Sequence, residues 1–318
     1  MLDAMGFDTG IDLARLLAVA RRMPEIVGHE VPGQVAKAGR ITDLHPAPAG
    51  VAELKELSAE RPPIGAKAPS GGSDPRAAGE RGGHRPTLVL IPGLAADQRM
   101  WQAQHDELGA QWPTTVATAH QACNSITAMA QAVLAQFEGE LLLCGASMGG
   151  MVALEATRLA PSRVRGLALL GTVAHPETPD MHQLRSDAIA LFEQGRAEEI
   201  IRANVALAFH PDHAGDLALT ALYLDMVLDA GTDTLIRHNR AVMARPDART
   251  HLRRIDCPSL VLCGEADQLT PVEHSQVIAN AIPGARLELI ARSGHMLTME
   301  QPAEVNRILL GWINGFWP

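Results

Sequence analysis

The sequence predicts an α/β protein built on a doubly wound, mostly parallel sheet of about six strands. Short apolar runs alternate with stretches of helical periodicity from Thr87 onward. The connections between runs are long enough to carry a helix across a sheet face, and right-handed crossovers then place helices on both faces. At the centre, residues 141–159 (LLLCGASMGGMVALEATRL) read as strand, sharp turn and helix.

Taken in order, residues 87–91 (TLVLI) are the first buried-strand candidate, followed by a helix at 97–108, a strand at 114–119 and a helix at 125–137. Leu141, Leu142, Leu143 and Cys144 form an uninterrupted apolar run, as in a strand buried on both faces. Met148, Met151, Val152, Ala156 and Leu159 then recur at helical spacing, and that helix stops before Pro161. Residues 164–170 are another strand. After Gly171 the alternation fails: 182–194, 196–209, 216–229 and 233–244 each show helical periodicity, broken at Gly195, Gly215 and Gly231. The sheet resumes at 258–263 and closes with a strand at 285–291. A final helix at 302–315 carries Val305, Ile308, Leu309, Trp312 and Ile313 toward the sheet.

Ser147 stands in the turn after the central strand, and Gly145, Ala146, Gly149 and Gly150 leave no bulk around it. This Gly-x-Ser-x-Gly pattern is that of a nucleophile elbow, in which a strained turn exposes a serine at the carboxyl end of a sheet. The new helix aims unpaired N–H groups and its positive dipole end at the same spot. Taken alone, the pentapeptide is equally a glycine-rich strand-to-helix turn. Two later residues change the balance. Asp267 follows the strand at 258–263 and His295 follows the strand at 285–291, so a nucleophile, an acid and a base occur in that order at strand ends. Acyl transfer needs all three, because a neutral imidazole must take the serine proton and a carboxylate must hold and stabilise the resulting imidazolium. Thr270, Pro271 and Glu273 are expected as N-cap, first-turn proline and capping-box partner of a helix starting just beyond Asp267. The His210-Pro211-Asp212-His213 stretch is expected to be a solvated loop, since its proline prevents a regular helical face.

Strand, Pro92, Gly93 and Leu94, followed by Asp97 and Trp101, together with the elbow, Asp267 and His295, resemble the α/β-hydrolases over about residues 86–316. The resemblance implies an oxyanion hole made by the backbone N–H groups of Leu94 and Met148, with Pro92 where a histidine is more usual. It selects Asp267 over the neighbouring Glu265 through the pattern Gly-x-x-Asp. It implies a helical cap inserted at about 175–250 in a domain spanning 86–318. The implied function is a serine hydrolase acting on a small ester, lactone or related acyl substrate, with no cofactor and no metal. The same triad also serves cofactor-free perhydrolases, acyltransferases and carbon–carbon hydrolases, and a ligand-sensing receptor with residual hydrolysis is a further alternative. A serine at the nucleophile position argues against haloalkane dehalogenases and epoxide hydrolases, whose reactions need a carboxylate there.

Composition agrees with small-molecule chemistry. Lys plus Arg number 27 against 36 Asp plus Glu, a formal charge of −9, which argues against a general nucleic-acid or anionic-membrane binder. Aromatics make up only 3% of a chain that is 47% apolar, so the core must rest on Leu, Val, Ile, Met and Ala. Cys123, Cys144, Cys257 and Cys263 show no Cys-x-x-Cys pairing and read as core thiols of a reducing compartment. Acidic residues at Asp3, Asp8 and Asp12 and the lack of an apolar run of about 18 residues argue against a signal peptide and a membrane span. A cytoplasmic protein is expected; the oligomeric state is left open.

Residues 1–43 resemble the C-terminal tail of hydroxymethylglutaryl-CoA lyases, at Met1, Leu2, Met5, Gly6, Thr9, Gly10, Leu13, Val35, Ala36 and Lys37. That family's metal ligands and catalytic cysteine lie upstream of its tail, so the resemblance implies a fused or mis-started remnant rather than lyase activity. Residues 44–85, rich in Pro, Gly, Ala, Ser and charge, read as a disordered linker. A chain lacking residues 1–80 is therefore expected to stay soluble and to hydrolyse a chromogenic short-chain ester at the full-length rate. Loss of solubility or of turnover in the truncated chain would refute that division.

Overall fold

The structure, a computed structural model, describes residues 85–317. The lyase-tail-like segment at 1–43 and all of the 44–85 linker except Arg85 lie outside the described residues. Six strands form a single sheet: β1 (Thr87–Ile91), β2 (Thr114–Val116), β3 (Leu141–Ala146), β4 (Val164–Leu170), β5 (Ser259–Gly264) and β6 (Arg286–Ile290). Their order is β2-β1-β3-β4-β5-β6, and every neighbouring pair is parallel.

The unbroken apolar runs explain the layering. Successive strand residues point to opposite faces, so Leu142, Cys144 and Ala146 of β3 join one core while Leu141 and Leu143 join the other. Helices α1 (Gln102–Gly109) and α10 (Pro302–Phe316) cover the first face, through Leu108, Val305, Ile308, Leu309, Trp312 and Ile313. Helices α2 (Ile126–Gln136), α3 (Met148–Leu159) and α8 (Val272–Ala281) cover the second, through Met129, Val133, Val152 and Ile278. The sheet is doubly wound, as expected. Cys144 and Cys263 are buried in β3 and β5, and none of the four cysteines is in a disulfide.

Strand β2 ends at Val116, three residues earlier than expected. The chain turns there because the N–H groups of Thr118 and Ala119 both donate to Gln136 Oε1 on α2, at 3.1 and 3.0 Å, instead of continuing a ladder. A 3₁₀ turn over Ala119–Ala122 follows.

Four helices lie between β4 and β5, where the cap was expected: α4 (Pro179–Glu193), α5 (Ala197–Ala208), α6 (Leu217–Asp229) and α7 (Thr232–Met243). Helix α4 starts before the expected residue 182 because Thr178 accepts a hydrogen bond from Met181 N and Pro179 occupies the first turn. A buried ion pair, Arg245 to Glu177 at 2.9 Å, ties the two ends of the insertion together, and Arg185 extends it at 2.7 Å. Burial alone would raise the Glu177 carboxyl, but these two arginines hold it below its ordinary value. Helix α9 (Leu297–Glu300) is a single turn before α10. Among the described residues, no helix is long and apolar enough to cross a membrane.

Two glycines test the packing in opposite directions. A Cβ on Gly264, at the end of β5, would stand 2.1 Å from the Gly294 carbonyl oxygen, a backbone atom that cannot rotate away. A Cβ on Gly311, inside α10, would meet nothing within 4 Å. Gly311→Ala should therefore raise stability by about 0.5–1 kcal/mol through helix propensity. Gly264→Ala should lower it by more than about 3 kcal/mol or prevent folding. Urea midpoints of both variants check this, and a mild Gly264→Ala would contradict the packing.

Candidate active site

Ser147 sits between β3 and α3 with φ 54° and ψ −121°, a left-handed conformation that is strained for a residue with a side chain. Its neighbours hold it there. The Ser147 N–H donates to Leu170 O at 2.8 Å, and the Thr172 hydroxyl donates to Ser147 O at 2.7 Å. Both of its backbone groups are thus tied to the end of β4. A Cβ on Gly145 would fall 2.2 Å from Gly149 O, and one on Gly149 would fall 2.1 Å from Ile91 O. These glycines let strand, helix and the end of β1 converge around the serine, whose side chain is left half-buried.

Asp267 and His295 meet beyond the ends of β5 and β6. His295 Nδ1 lies 2.9 Å from Asp267 Oδ2, and both residues are buried, at 7% and 5% exposure. The acid is held by more than the imidazole: the N–H groups of Leu269 and Thr270 donate to Oδ1 at 2.9 and 2.8 Å, and the Thr270 hydroxyl donates to Oδ2 at 2.8 Å. Thr270 is therefore not the helix cap. Pro271 occupies that position at the start of α8 without a side-chain cap, because the threonine hydroxyl is engaged by the aspartate. With a carboxylate facing Nδ1, the proton of a neutral His295 belongs on Nδ1, which leaves Nε2 as the lone-pair nitrogen. Burial by itself would raise the Asp267 carboxyl; the adjoining His295 imidazole and the hydrogen bonds from Thr270 outweigh it and hold the group below its ordinary value. Glu265 is exposed.

The two halves adjoin across Gly171-Thr172, just after β4. Thr172 holds Ser147, and a Cβ on Gly171 would stand 3.1 Å from Asp267 Oδ2 and 3.4 Å from His295 Nδ1. Among the described residues no hydrogen bond joins Ser147 Oγ to His295. The N–H groups of Leu94 and Met148 are likewise without a hydrogen-bond partner among the described residues. Gly93 brings the Leu94 turn against the serine, its Cβ position lying 3.3 Å from Ser147 Cβ. A shallow polar cleft of about 280 Å³ between Gln102, His105, Asp106 and Thr115 opens at the β2 edge, apart from these groups.

Two supports escaped the sequence reading. Glu300, buried in α9, accepts from Gly294 N at 2.8 Å and from His210 N at 2.7 Å, and its Oε2 lies 3.0 Å from His213 Nδ1. The His210–His213 stretch is a loop with Pro211 and Asp212 exposed, as expected, but its two histidines are half-buried and bridge the insertion to the His295 loop. His238, fully buried on α7, accepts the Ala95 N–H on Nδ1 at 3.1 Å, while its Nε2 faces Gln121 O at 2.9 Å. Neither has a sequence signal, because their partners lie far away along the chain.

The sequence profile described as the Alpha/beta hydrolase family matches residues 88–308. A protein of Serratia proteamaculans named as a carbamate hydrolase, RutD, is 29% identical over 72% of this chain and 91% of its own length. A pimeloyl-[acyl-carrier protein] methyl ester esterase of Nitrosomonas europaea is 24% identical over 71% of this chain and 94% of its own. Among solved structures, a thermophilic esterase from Thermogutta terrifontis superposes with a TM-score of 0.66 at 25% identity, over 73% of this chain and 91% of that one.

Burial disfavours a charged imidazole at several positions around the site. It pushes His120 down to about 4, with the nearby His238 adding to the effect and the Pro92 carbonyl, outside hydrogen-bond geometry, opposing it slightly. Burial also lowers His238, His251 and His274. A depressed folded-state value means that the unfolded chain binds these protons first, so the stability they support is full above about pH 6.5 and is lost as pH falls toward about 4. Asp267, also depressed, adds a loss only at still lower pH, below its ordinary value of 3.8. Urea midpoints should fall steadily from pH 7 to pH 4.5, and His120→Phe should flatten that slope. A midpoint unchanged between pH 7 and pH 5 would contradict neutral burial.

Proposed function

The chain belongs to the alpha/beta hydrolase family, and from that premise we propose that it is a serine hydrolase acting on a small ester, lactone or related acyl substrate, with Ser147, His295 and Asp267 as its triad. The observation that carries the reading is the Asp267–His295 hydrogen bond of 2.9 Å set beside a serine in a strained turn at the start of a helix. Each group then has a chemical role. His295 Nε2 takes the Ser147 hydroxyl proton as the oxygen attacks the substrate carbonyl. Negative charge moves to the carbonyl oxygen, which faces the N–H groups of Leu94 and Met148. His295 returns its proton to the leaving group, the acyl-serine forms, and a water activated by the same imidazole releases the acid. Asp267 stays ionised throughout, which its depressed pKa supports. Catalytic hydrogen bonds of the Ser147–His295 kind tighten around bound substrate.

The names of the relatives favour a carbonyl bearing an oxygen or nitrogen leaving group. Residues 86–318 form the catalytic domain in this reading, with the insertion at 175–250 as the roof over the substrate. No metal or cofactor takes part in these steps.

A fluorophosphonate probe should label wild-type protein at Ser147, found by peptide mass mapping, and leave Ser147→Ala unlabelled. With p-nitrophenyl butyrate, Ser147→Ala should retain less than a thousandth of the rate. Asp267→Asn should lose about 10⁴ in kcat near neutral pH, because an amide stabilises the wrong imidazole tautomer, whereas Glu265→Gln should stay near wild type. A crippled Glu265→Gln beside an active Asp267→Asn would overturn the assignment of the acid.

A further inference from the structure

We infer that His238 is a positioning residue for the oxyanion hole, through which the last helix of the insertion sets the loop that presents the Leu94 N–H. The inference rests on the serine-hydrolase reading above and adds a residue to it.

The loop after β1 needs such support. Ala95, the residue after Leu94, has φ 51° although it is not glycine, a strained conformation that must be held by its surroundings. Ala95 is buried, so its N–H needs an acceptor. That acceptor is His238 Nδ1, at 3.1 Å. An imidazole can accept at Nδ1 only when that nitrogen carries no proton. The proton of the neutral ring is therefore on Nε2, where it donates to Gln121 O at 2.9 Å. With both nitrogens engaged by backbone groups of two different loops, the ring has one orientation.

A second contact completes the clamp. Gln121 sends its own Nε2 back to Ala96 O at 3.3 Å, so an N–H and a carbonyl of consecutive loop residues are both held. Gln121 O in turn also accepts from Arg237 Nη2 at 3.0 Å. Burial, and Arg237 next to it on α7, disfavour a second proton on the ring. The Leu94 N–H itself makes no hydrogen bond among the described residues. Its direction is set by the residues on either side: Gly93, packed on Ser147, and Ala95, held by His238. A preorganised donor contributes to rate only when it already points where the oxyanion forms.

The test separates acceptor from bulk. His238→Phe keeps ring volume and removes both hydrogen bonds; His238→Asn keeps an oxygen close to the Nδ1 position; His238→Gln places its amide nearer the Nε2 position. With p-nitrophenyl butyrate, kcat should fall at least about tenfold in the Phe and Gln variants, less than the outright loss of a donor, while KM changes little. The Asn variant should stay within about threefold of wild type. Inhibition by an aryl trifluoromethyl ketone, whose adduct carries the oxyanion, should weaken in proportion to kcat/KM across the series. A role confined to stability would shift urea midpoints and leave these constants alone. Equal kcat and equal ketone affinity in the Asn and Gln variants would overturn the inference, even should the Phe variant fail to fold. Fluorophosphonate labelling of the wild-type protein reads the other question: absence of a Ser147 adduct refutes the triad, whereas labelling with unchanged His238 variants refutes only the positioning role.

Discussion

Gly149 approaches the end of β1 so closely that one methyl group would stand 2.1 Å from the Ile91 carbonyl oxygen. That approach fixes where α3 begins, and with it the backbone of Ser147. Gly145 fits against Gly149 in the same way, and Thr172 closes the arrangement from β4 by hydrogen-bonding the Ser147 carbonyl. Three adjacent parallel strands thus converge on one strained residue. The strain persists because contacts from three strands over-determine the turn, and the two apolar cores on the faces of the sheet supply the packing that opposes its release.

On the far side of β4 the constraint is electrostatic rather than steric. A buried carboxylate is tolerated only when its charge is met, and Asp267 is met by two backbone N–H groups, a threonine hydroxyl and an imidazole. Glu300 is satisfied similarly, by the Gly294 and His210 N–H groups and by His213. One carboxylate orients the imidazole and the other anchors the loop that carries it. Both charges draw on N–H groups that would otherwise be buried without partners, so each ordered loop and its carboxylate stabilise one another.

What could be read from the sequence was what is local along the chain. Six strands, the turn at Ser147 and the positions of Asp267 and His295 each announce themselves within about ten residues, as apolar runs, glycines and strand-end motifs. The Thr270 hydroxyl has two partners close along the chain, the start of α8 and Asp267 three residues before it, and residue types alone do not decide between them. His238 and Glu300 were invisible for a different reason. Ala95 and His238 are separated by 143 residues, and His210 and Glu300 by 90, and no periodicity encodes a pairing that depends on how two remote loops finish folding. The early end of β2 belongs to the same class, since Gln136 on a later helix intercepts its N–H groups.

The four inserted helices enter and leave the sheet between two strands that are themselves paired, Leu167 of β4 lying beside Ser259 of β5. In polymer terms the excursion over residues 171–258 is one closed loop, roughly five times longer than the connection from β3 to β4. Loop-closure entropy grows only with the logarithm of length, so this difference costs about 1.5 kcal/mol, on the order of one ordinary point substitution. Added length in the exposed turns of this stretch therefore costs the sheet little, whereas Phe192, Phe209, Met226 and Leu235, which pack into the core on one face of the sheet, are not free to change. In the proposed reading, in which the insertion roofs the site, its exposed turns can change length above an unchanged chemical floor.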